Sequence, residues 1–418
     1  MLDIKFIREN PEKVQEAAKS KRVVLDIQEI LAADRSYREE QTAVQELQQQ
    51  ANEFSRSFQG KPTDEQLAQG KKIKETLQQK EEELKKKKVT LDALLKQIPN
   101  VPKDDVKVGK DESENDVIRT YKEPTKFSFT PKDHLELGES LGIIDMARAA
   151  KVSGARFAYL KGDGVLLEFA LVQFAFELLV KEGFIPVLPP VLIKEKVMAG
   201  LGYMENGGDE DMFHLRDDDM VLVGTAEQSL VPMHADEVLA KKQLPLRYVG
   251  YSSSFRREAG SYGKDTRGIL RVHQFNKIEM VSYVAEGEDD SEHEFLLSLE
   301  EKFFQALDIP YQVVKMCTGD LGFPAARKYD IEAWMPGQNT YREVTSVSTV
   351  TDFQSRRLNI KYQDGEQRKF VSILNGTACA LSRTPIAILE NYQQEDGSIV
   401  IPEVLRKYMG KDKVCKVI

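Results

Sequence analysis

The sequence predicts an α+β fold: an antiparallel β-sheet body with helices packed against it, preceded by an antiparallel α-helical coiled-coil arm. Three observations predict it. Apolar residues recur at heptad spacing in two stretches of the first hundred residues. From about residue 120 onward, short apolar strands are joined by short loops rather than by regular helices. No G-x-G-x-x-G or P-loop sequence marks a parallel nucleotide-binding sheet.

The arm comes first. Before Pro99 the chain has only Pro11 and Pro62, and its glycines there are Gly60 and Gly70. A seven-residue repeat fits residues 30–58, with Ile30, Tyr37, Val44, Ala51 and Phe58 at one seam position and Ala33, Glu40, Leu47 and Phe54 at the other. Only Glu40 interrupts it. A second repeat runs Ile73, Leu77, Lys80, Leu84, Lys87, Leu91, Leu94, Ile98, interrupted by two lysines. Between them, "QGKPTDEQ" supplies a turn and Thr63 as an N-cap. Two such helices pack antiparallel and, at ~1.5 Å per residue, reach on the order of 45–50 Å. The polar stretch 98–117 reads as a linker, and the division is placed at 1–103 and 104–418.

The body follows. Val165–Glu182 has a helical pattern; its glutamates and its length exclude a bilayer span. "FIPVLPPVLI" reads as a strand ending near Pro189 and Pro190. Further strands are expected around 221–223, 248–258, 270–281, 312–316, 329–334, 341–348 and 370–376. The 418 residues have 41% hydrophobic content, enough for at least one large core.

Charge and cysteine usage narrow the class. The first hundred residues hold 19 basic and 18 acidic residues, leaving 40 and 50 for the remainder. An acidic body argues against broad nucleic-acid binding, while a near-neutral arm leaves room for local basic docking. Three separated cysteines point to a reducing cytoplasm, and the five histidines form no zinc spacing with them. "MLDIKFIRENPEKV" lacks the apolar run of a signal peptide.

The chemistry concentrates in "SFRREAGSYGKDTRGILRVHQFNKIEM" (254–280). With 252–258 and 270–280 as paired strands around the loop 259–268, Arg256 and Glu258 share a face, as do Arg271, His273, Phe275, Lys277 and Glu279. A guanidinium fork suits a phosphate, a flat ring suits a base, and a carboxylate suits an amino group. Cross-strand ion pairs on a solvated hairpin give the same pattern. In "LVGTAEQSLVP", Thr225 and Gln228 read equally as a capping box. "YREVTSVSTVTDFQSRRLNIKY" fits an amphipathic strand, and "LNGTACALSRTPIAILENYQ" places Arg383 at a helix N-terminus that favours anions.

Taken in order, helix–strand–Pro ending at Pro189 and Pro190, "FRREAG…RVHQFNKIE" and "NGTACALSRT" resemble the three signatures of the class II aminoacyl-tRNA synthetases. Together with "GTAEQSL", "KYDIEAWMPGQ" and "TDFQSRRLNIKY" behind the arm, the chain resembles the bacterial-type seryl-tRNA synthetase family over its whole length. The resemblance implies a class II catalytic domain from residue 104 and a tRNA-binding domain before it. It implies ligation of L-serine to tRNA(Ser), and to tRNA(Sec) where one exists, through a seryl-adenylate, with ATP and Mg²⁺. It implies a cytoplasmic homodimer with no membrane contact.

The same resemblance assigns roles. Arg256, Glu258 and Arg383 would be catalytic, on the α-phosphate, the adenine amino group and the distal phosphates. Phe275 would stack on adenine near Val272. Arg257, Val344 and Thr345 would complete the ATP site, and Glu343 with Ser346 would hold Mg²⁺. Thr225, Ala226, Glu227 and Glu279 would receive the serine ammonium and its surroundings, and Asn375 and Thr377 would read its hydroxyl. Lysines of "KKIKETLQQKEEELKKKK" are implied as phosphate contacts, although Glu81–Lys85, Glu82–Lys86 and Glu83–Lys87 also fit a self-stabilised helix surface.

The chain departs from the family pattern at Val347, where a cysteine is usual, and at Ser382, where glycine is common. Glu343 and Ser346 stand three apart, so a regular strand puts them on opposite faces, and shared metal contact requires a bulge between them. Two other readings fit parts of the pattern. One is a catalytically silent relative using the arm for binding, disfavoured by the intact Arg256, Glu258, Glu279 and Arg383. The other charges a carrier protein, disfavoured by the arm at 27–98.

Overall fold

The computed structural model describes residues 1–57, 62–205, 207–259 and 267–416. The chain divides into two units, residues 1–99 and 100–418.

In the first unit, short helices Ile4–Glu9 and Pro11–Ser20 precede two long ones, α1 (Ile27–Arg56) and α2 (Asp64–Lys96). Asp26 caps α1 by accepting from the Gln28 N–H. Thr63 caps α2, as the sequence predicts, and the structure adds a reciprocal bond from Gln66 that completes a capping box. The seam is also as expected. Ile30, Val44, Leu91 and Ile98 are buried, Glu40 is buried with them, and the other described seam residues are half-buried. The three polar interruptions meet one another: Glu40 lies 3.0 Å from Lys80 and 2.6 Å from Lys87. Phe58 and positions 59–61 of the predicted turn lie outside the described residues.

The second unit is built on an eight-stranded sheet. Its strands in chain order are β1 (Asp116–Tyr121), β2 (Ile185–Val187), β3 (Leu246–Phe255), β4 (Gln274–Val284), β5 (Tyr311–Lys315), β6 (Arg327–Met335), β7 (Thr340–Thr351) and β8 (Ser372–Ala380). Their order across the sheet is β1-β5-β6-β7-β8-β4-β3-β2. Every pair is antiparallel except the edge pair β2–β3, which is parallel. The stretch expected as a linker is instead bonded into this unit. Asn100 and Lys103 donate backbone bonds to Phe323 and Ala326, and Asp116–Tyr121 pairs along β5 as an edge strand.

Helices α3 (Asp163–Lys181) and α4 (Asp289–Ala306) cover one face. Leu296, Leu297, Phe303 and Phe304 of α4 share a core with Ile278, Met280, Ile331, Val347 and Leu374 from four strands. Alternation then turns Phe275, Lys277 and Glu279 of β4, and Asn375 and Thr377 of β8, toward the opposite face. No described helix is long and apolar enough to cross a membrane.

Candidate active site

That opposite face floors a cleft of about 500 Å³. Its lining draws on segments far apart in sequence: Thr225 and Glu227, Arg256 and Glu258, Val272, Phe275 and Glu279. From β7 and β8 come Glu343, Val344, Thr345, Ser346, Asn375 and Thr377, and Arg383 closes the set. The structure thus gathers fourteen of the sixteen predicted residues. Arg257 is exposed, its N–H bound to the Asp211 carbonyl at 2.9 Å, and it does not line the cleft. Ala226 is fully buried against the sheet instead, because Gly250 of β3 leaves no room for more: a Cβ there would sit 2.8 Å from Leu230 and 3.3 Å from Ala226. That close approach brings the helix Glu227–Leu230 onto the sheet.

The strand ends differ from the prediction. The regular ladder of β3 and β4 stops at Phe255 opposite Gln274. Beyond it, Glu258 adopts a left-handed φ of 54° and its carboxylate accepts from Arg271 at 2.6 Å. His273 leaves the face of Phe275; its Nδ1 lies 2.9 Å from the Arg256 carbonyl, and its ring packs on Phe157. Most of the loop 259–268 lies outside the described residues. The predicted capping box is also replaced. The helix begins at Glu227, and the Gln228 side chain accepts from the Gly224 N–H at 2.7 Å.

At one end of the cleft, the Arg256 guanidinium lies 5.3 Å from the centre of the Phe275 ring and donates to the Gly224 carbonyl. Arg383 opens helix α5 (Arg383–Asn391) and donates to both the backbone and the carboxylate of Glu343 at 3.0 Å. Burial pushes the Glu343 carboxyl up, but Arg383 and Lys328 outweigh it and hold its pKa at about 2. Strand β7 carries the bulge that shared contact requires. Thr345 faces Ile331 and Glu343 faces Glu332, leaving Val344 as the extra residue. Glu343 and Ser346 therefore lie opposite Glu332 and Asp330, two apart on β6, and share the cleft face. An ionised carboxylate and a hydroxyl on one face form an oxygen donor set that fits Mg²⁺.

At the other end, Glu227 is 3% exposed. The Tyr203 hydroxyl lies 2.8 and 2.9 Å from its two oxygens, and Gln354 donates to it at 3.1 Å. Burial, then the charge of Glu279, pushes its pKa up to about 6. Glu279 and Thr377 stand opposite each other across β4 and β8 and bond at 3.1 Å. Gly376 between Asn375 and Thr377 is required by close approach on the covered face: a Cβ would sit 2.9 Å from Glu300 and 3.1 Å from Val347.

Sequence reasoning gave no role to Tyr203, Lys277, Lys328 or Gln354. Lys277 stands in the same period-two stripe as Phe275 and Glu279, so its position was readable. Tyr203 sits in a segment whose pattern carries no signal, and Gln354 lies within "TDFQSRRLNIKY" but gains its role only when the fold joins it to Glu227.

Comparison with known proteins agrees with this architecture. The family described as "Seryl-tRNA synthetase N-terminal domain" matches residues 1–102, and "tRNA synthetase class II core domain (G, H, P, S and T)" matches residues 212–392. A serine–tRNA ligase of Thermodesulfovibrio yellowstonii is 43% identical over 427 residues, covering 99% of this chain and all of the relative. The crystal structure of seryl-tRNA synthetase from Pyrococcus horikoshii complexed with ATP superposes with a TM-score of 0.94 at 42% identity, covering all of both chains. A cytoplasmic serine–tRNA ligase from Naegleria fowleri in complex with AMP gives 0.89 at 31% identity, over 100% of this chain and 99% of that one. With both domains matched in order and relatives aligned end to end, the chain belongs to the seryl-tRNA synthetases of the class II aminoacyl-tRNA synthetases.

Proposed function

We propose that this chain ligates L-serine to tRNA(Ser), and to tRNA(Sec) where present, through a seryl-adenylate. One observation carries the reading: Arg256, Phe275, Glu343 and Arg383 line one cleft together with Glu227, Glu279 and Thr377. The first group suits ATP. Phe275 would stack on the adenine beside the Val272 backbone, and Glu258 would accept from its amino group. Arg256 would grip the α-phosphate and Arg383 the distal phosphates. Glu343 and Ser346 would hold Mg²⁺, with Val344 and Thr345 completing this part of the site; when bound, the ion supplies positive charge against the polyphosphate. The second group suits serine. Thr225 and Glu227 would take the ammonium, and Glu279, Thr377 and Asn375 the side-chain end.

No covalent enzyme nucleophile is needed. The serine carboxylate attacks the α-phosphate in line, Arg256 stabilises the developing charge, and pyrophosphate leaves. The terminal ribose hydroxyl of tRNA then attacks the carbonyl of the adenylate, releasing AMP. Residues 1–103 would bind tRNA, with lysines of 71–88 on its phosphates, and residues 104–418 would carry catalysis.

The reading includes a homodimer through the helix–strand–Pro signature. Leu166 (46% exposed) and Phe169 (54%) on α3, with Ile185 and Leu188 beyond it, support this assembly as apolar surface awaiting cover. It also places the chain in the cytoplasm, where three free thiols are maintained.

The test is ATP–pyrophosphate exchange run with each of the twenty amino acids. Serine alone should support it, and Arg256→Ala should lower kcat/KM by about a hundredfold or more. Wild-type protein that exchanges with no amino acid overturns the proposal.

A further inference from the structure

The two carboxylates at the amino-acid end of the cleft are met differently. The Glu227 carboxylate accepts from neutral donors, the Tyr203 hydroxyl and the Gln354 amide. Glu279 is met by a cation: Lys277 Nζ lies 2.6 Å from its Oε2. Lys277 also donates to Thr377 Oγ1 at 3.2 Å, and Thr377 donates to the same Glu279 oxygen at 3.1 Å. These three side chains form a closed triangle, 7%, 2% and 4% exposed. Strand alternation puts Lys277 and Glu279 on one face, and the β4–β8 register brings Thr377 opposite Glu279.

The consequence is electrostatic. An amino acid brings one ammonium, which Glu227 can match. A second unmatched carboxylate beside it would favour a second cation. With Lys277 in place, the charge of Glu279 is already balanced, and the corner offers fixed hydrogen-bonding oxygens to a neutral group. We propose that Lys277 is a positioning residue for amino-acid selection: it fixes Glu279 and Thr377 as a charge-balanced corner that accepts a hydroxyl and rejects an amine. This rests on the reading of the cleft as the serine site.

The experiment compares serine with 2,3-diaminopropionate, which carries an amine where serine carries its hydroxyl. Both are measured in the full-length protein, serine by its KM in ATP–pyrophosphate exchange and the diamine by its inhibition constant at near-neutral pH. In Lys277→Met the serine KM should rise about tenfold or more and the diamine should bind about tenfold tighter, with the ATP KM within about twofold of wild type. Lys277→Arg, which restores a cation, should recover part of both shifts. General damage to the pocket weakens the two amino acids together. Parallel weakening, no change in either, or weaker serine without a gain for the diamine overturns the role of Lys277. If Lys277→Met does not fold, Lys277→Gln is judged by the same criteria. A wild type without serine-dependent exchange overturns the parent reading instead, so the two failures are distinct.

Discussion

Glu40 on α1 lies 2.6 Å from the Lys87 ammonium on α2, at a seam position where heptad geometry calls for apolar residues. Lys80 reaches the same carboxylate at 3.0 Å. The three interruptions of the two repeats are thus one cluster, and it forms in only one register of the helix pair. Hydrogen bonds from Lys87, then Lys80, hold the Glu40 pKa below its usual value.

Glu40→Gln should therefore destabilise the arm by about 1–2 kcal/mol, less than for a fully buried pair because the lysines are 35% and 38% exposed. Leucine at all three positions should raise the thermal stability of the arm and loosen its register. Hydrogen exchange of arm amides in the full chain reads both effects. Because the folded-state pKa of Glu40 is depressed, its contribution is complete above the unfolded value near pH ~4.3 and fades as pH falls through the folded one. Arm protection that is flat across that window would count against the cluster.

Glu227 gives a second pH signature, from a pKa shifted the opposite way. Its pKa is pushed up to about 6, and an ammonium needs its ionised form. Below pH ~6, kcat/KM for serine should fall about tenfold per pH unit, with no matching break for ATP. The Tyr203 hydroxyl favours the ionised form, so Tyr203→Phe should move the break to higher pH.

Gly376→Ala tests the close approach behind β8. The new methyl would sit 2.9 Å from Glu300 and 3.1 Å from Val347, both fully buried. A loss of about 1–3 kcal/mol is expected in denaturant melts. Since Asn375 and Thr377 flank the glycine, the serine KM should rise more than the ATP KM.

The apolar face of α3 yields a hydrodynamic prediction. Phe169→Glu or Leu188→Asp should convert a dimer to a monomer in analytical ultracentrifugation, since a charge in a covered apolar interface costs several kcal/mol. A wild type that sediments as a monomer at micromolar concentration would refute the assembly.

The central strands were legible because their apolar alternation is long and bounded by turns, as in Arg327–Met335 and Thr340–Thr351. The arm was legible because a heptad repeat is long and redundant. Asp116–Tyr121 was missed for a physical reason: an edge strand exposed along most of its length keeps no apolar stripe to read. The hairpin stripe was extrapolated too far. Strand periodicity ends at Gln274, and Glu258 turns left-handed, which alternation cannot foresee. Within the site, most residues assigned from a motif line the cleft, whereas Tyr203, outside any motif, and Gln354, inside "TDFQSRRLNIKY" but without an assigned role, acquire their hold on Glu227 only in three dimensions. Ala226 shows the converse: a residue within a site motif whose place is set by the hollow that Gly250 leaves.

One extra peptide unit at Val344 decides which way Glu343 points. Shortening β7 by that unit would swing the carboxylate into the hydrocarbon interior while leaving every functional side chain present in the gene. Backbone count is thus heritable information here, separate from residue identity.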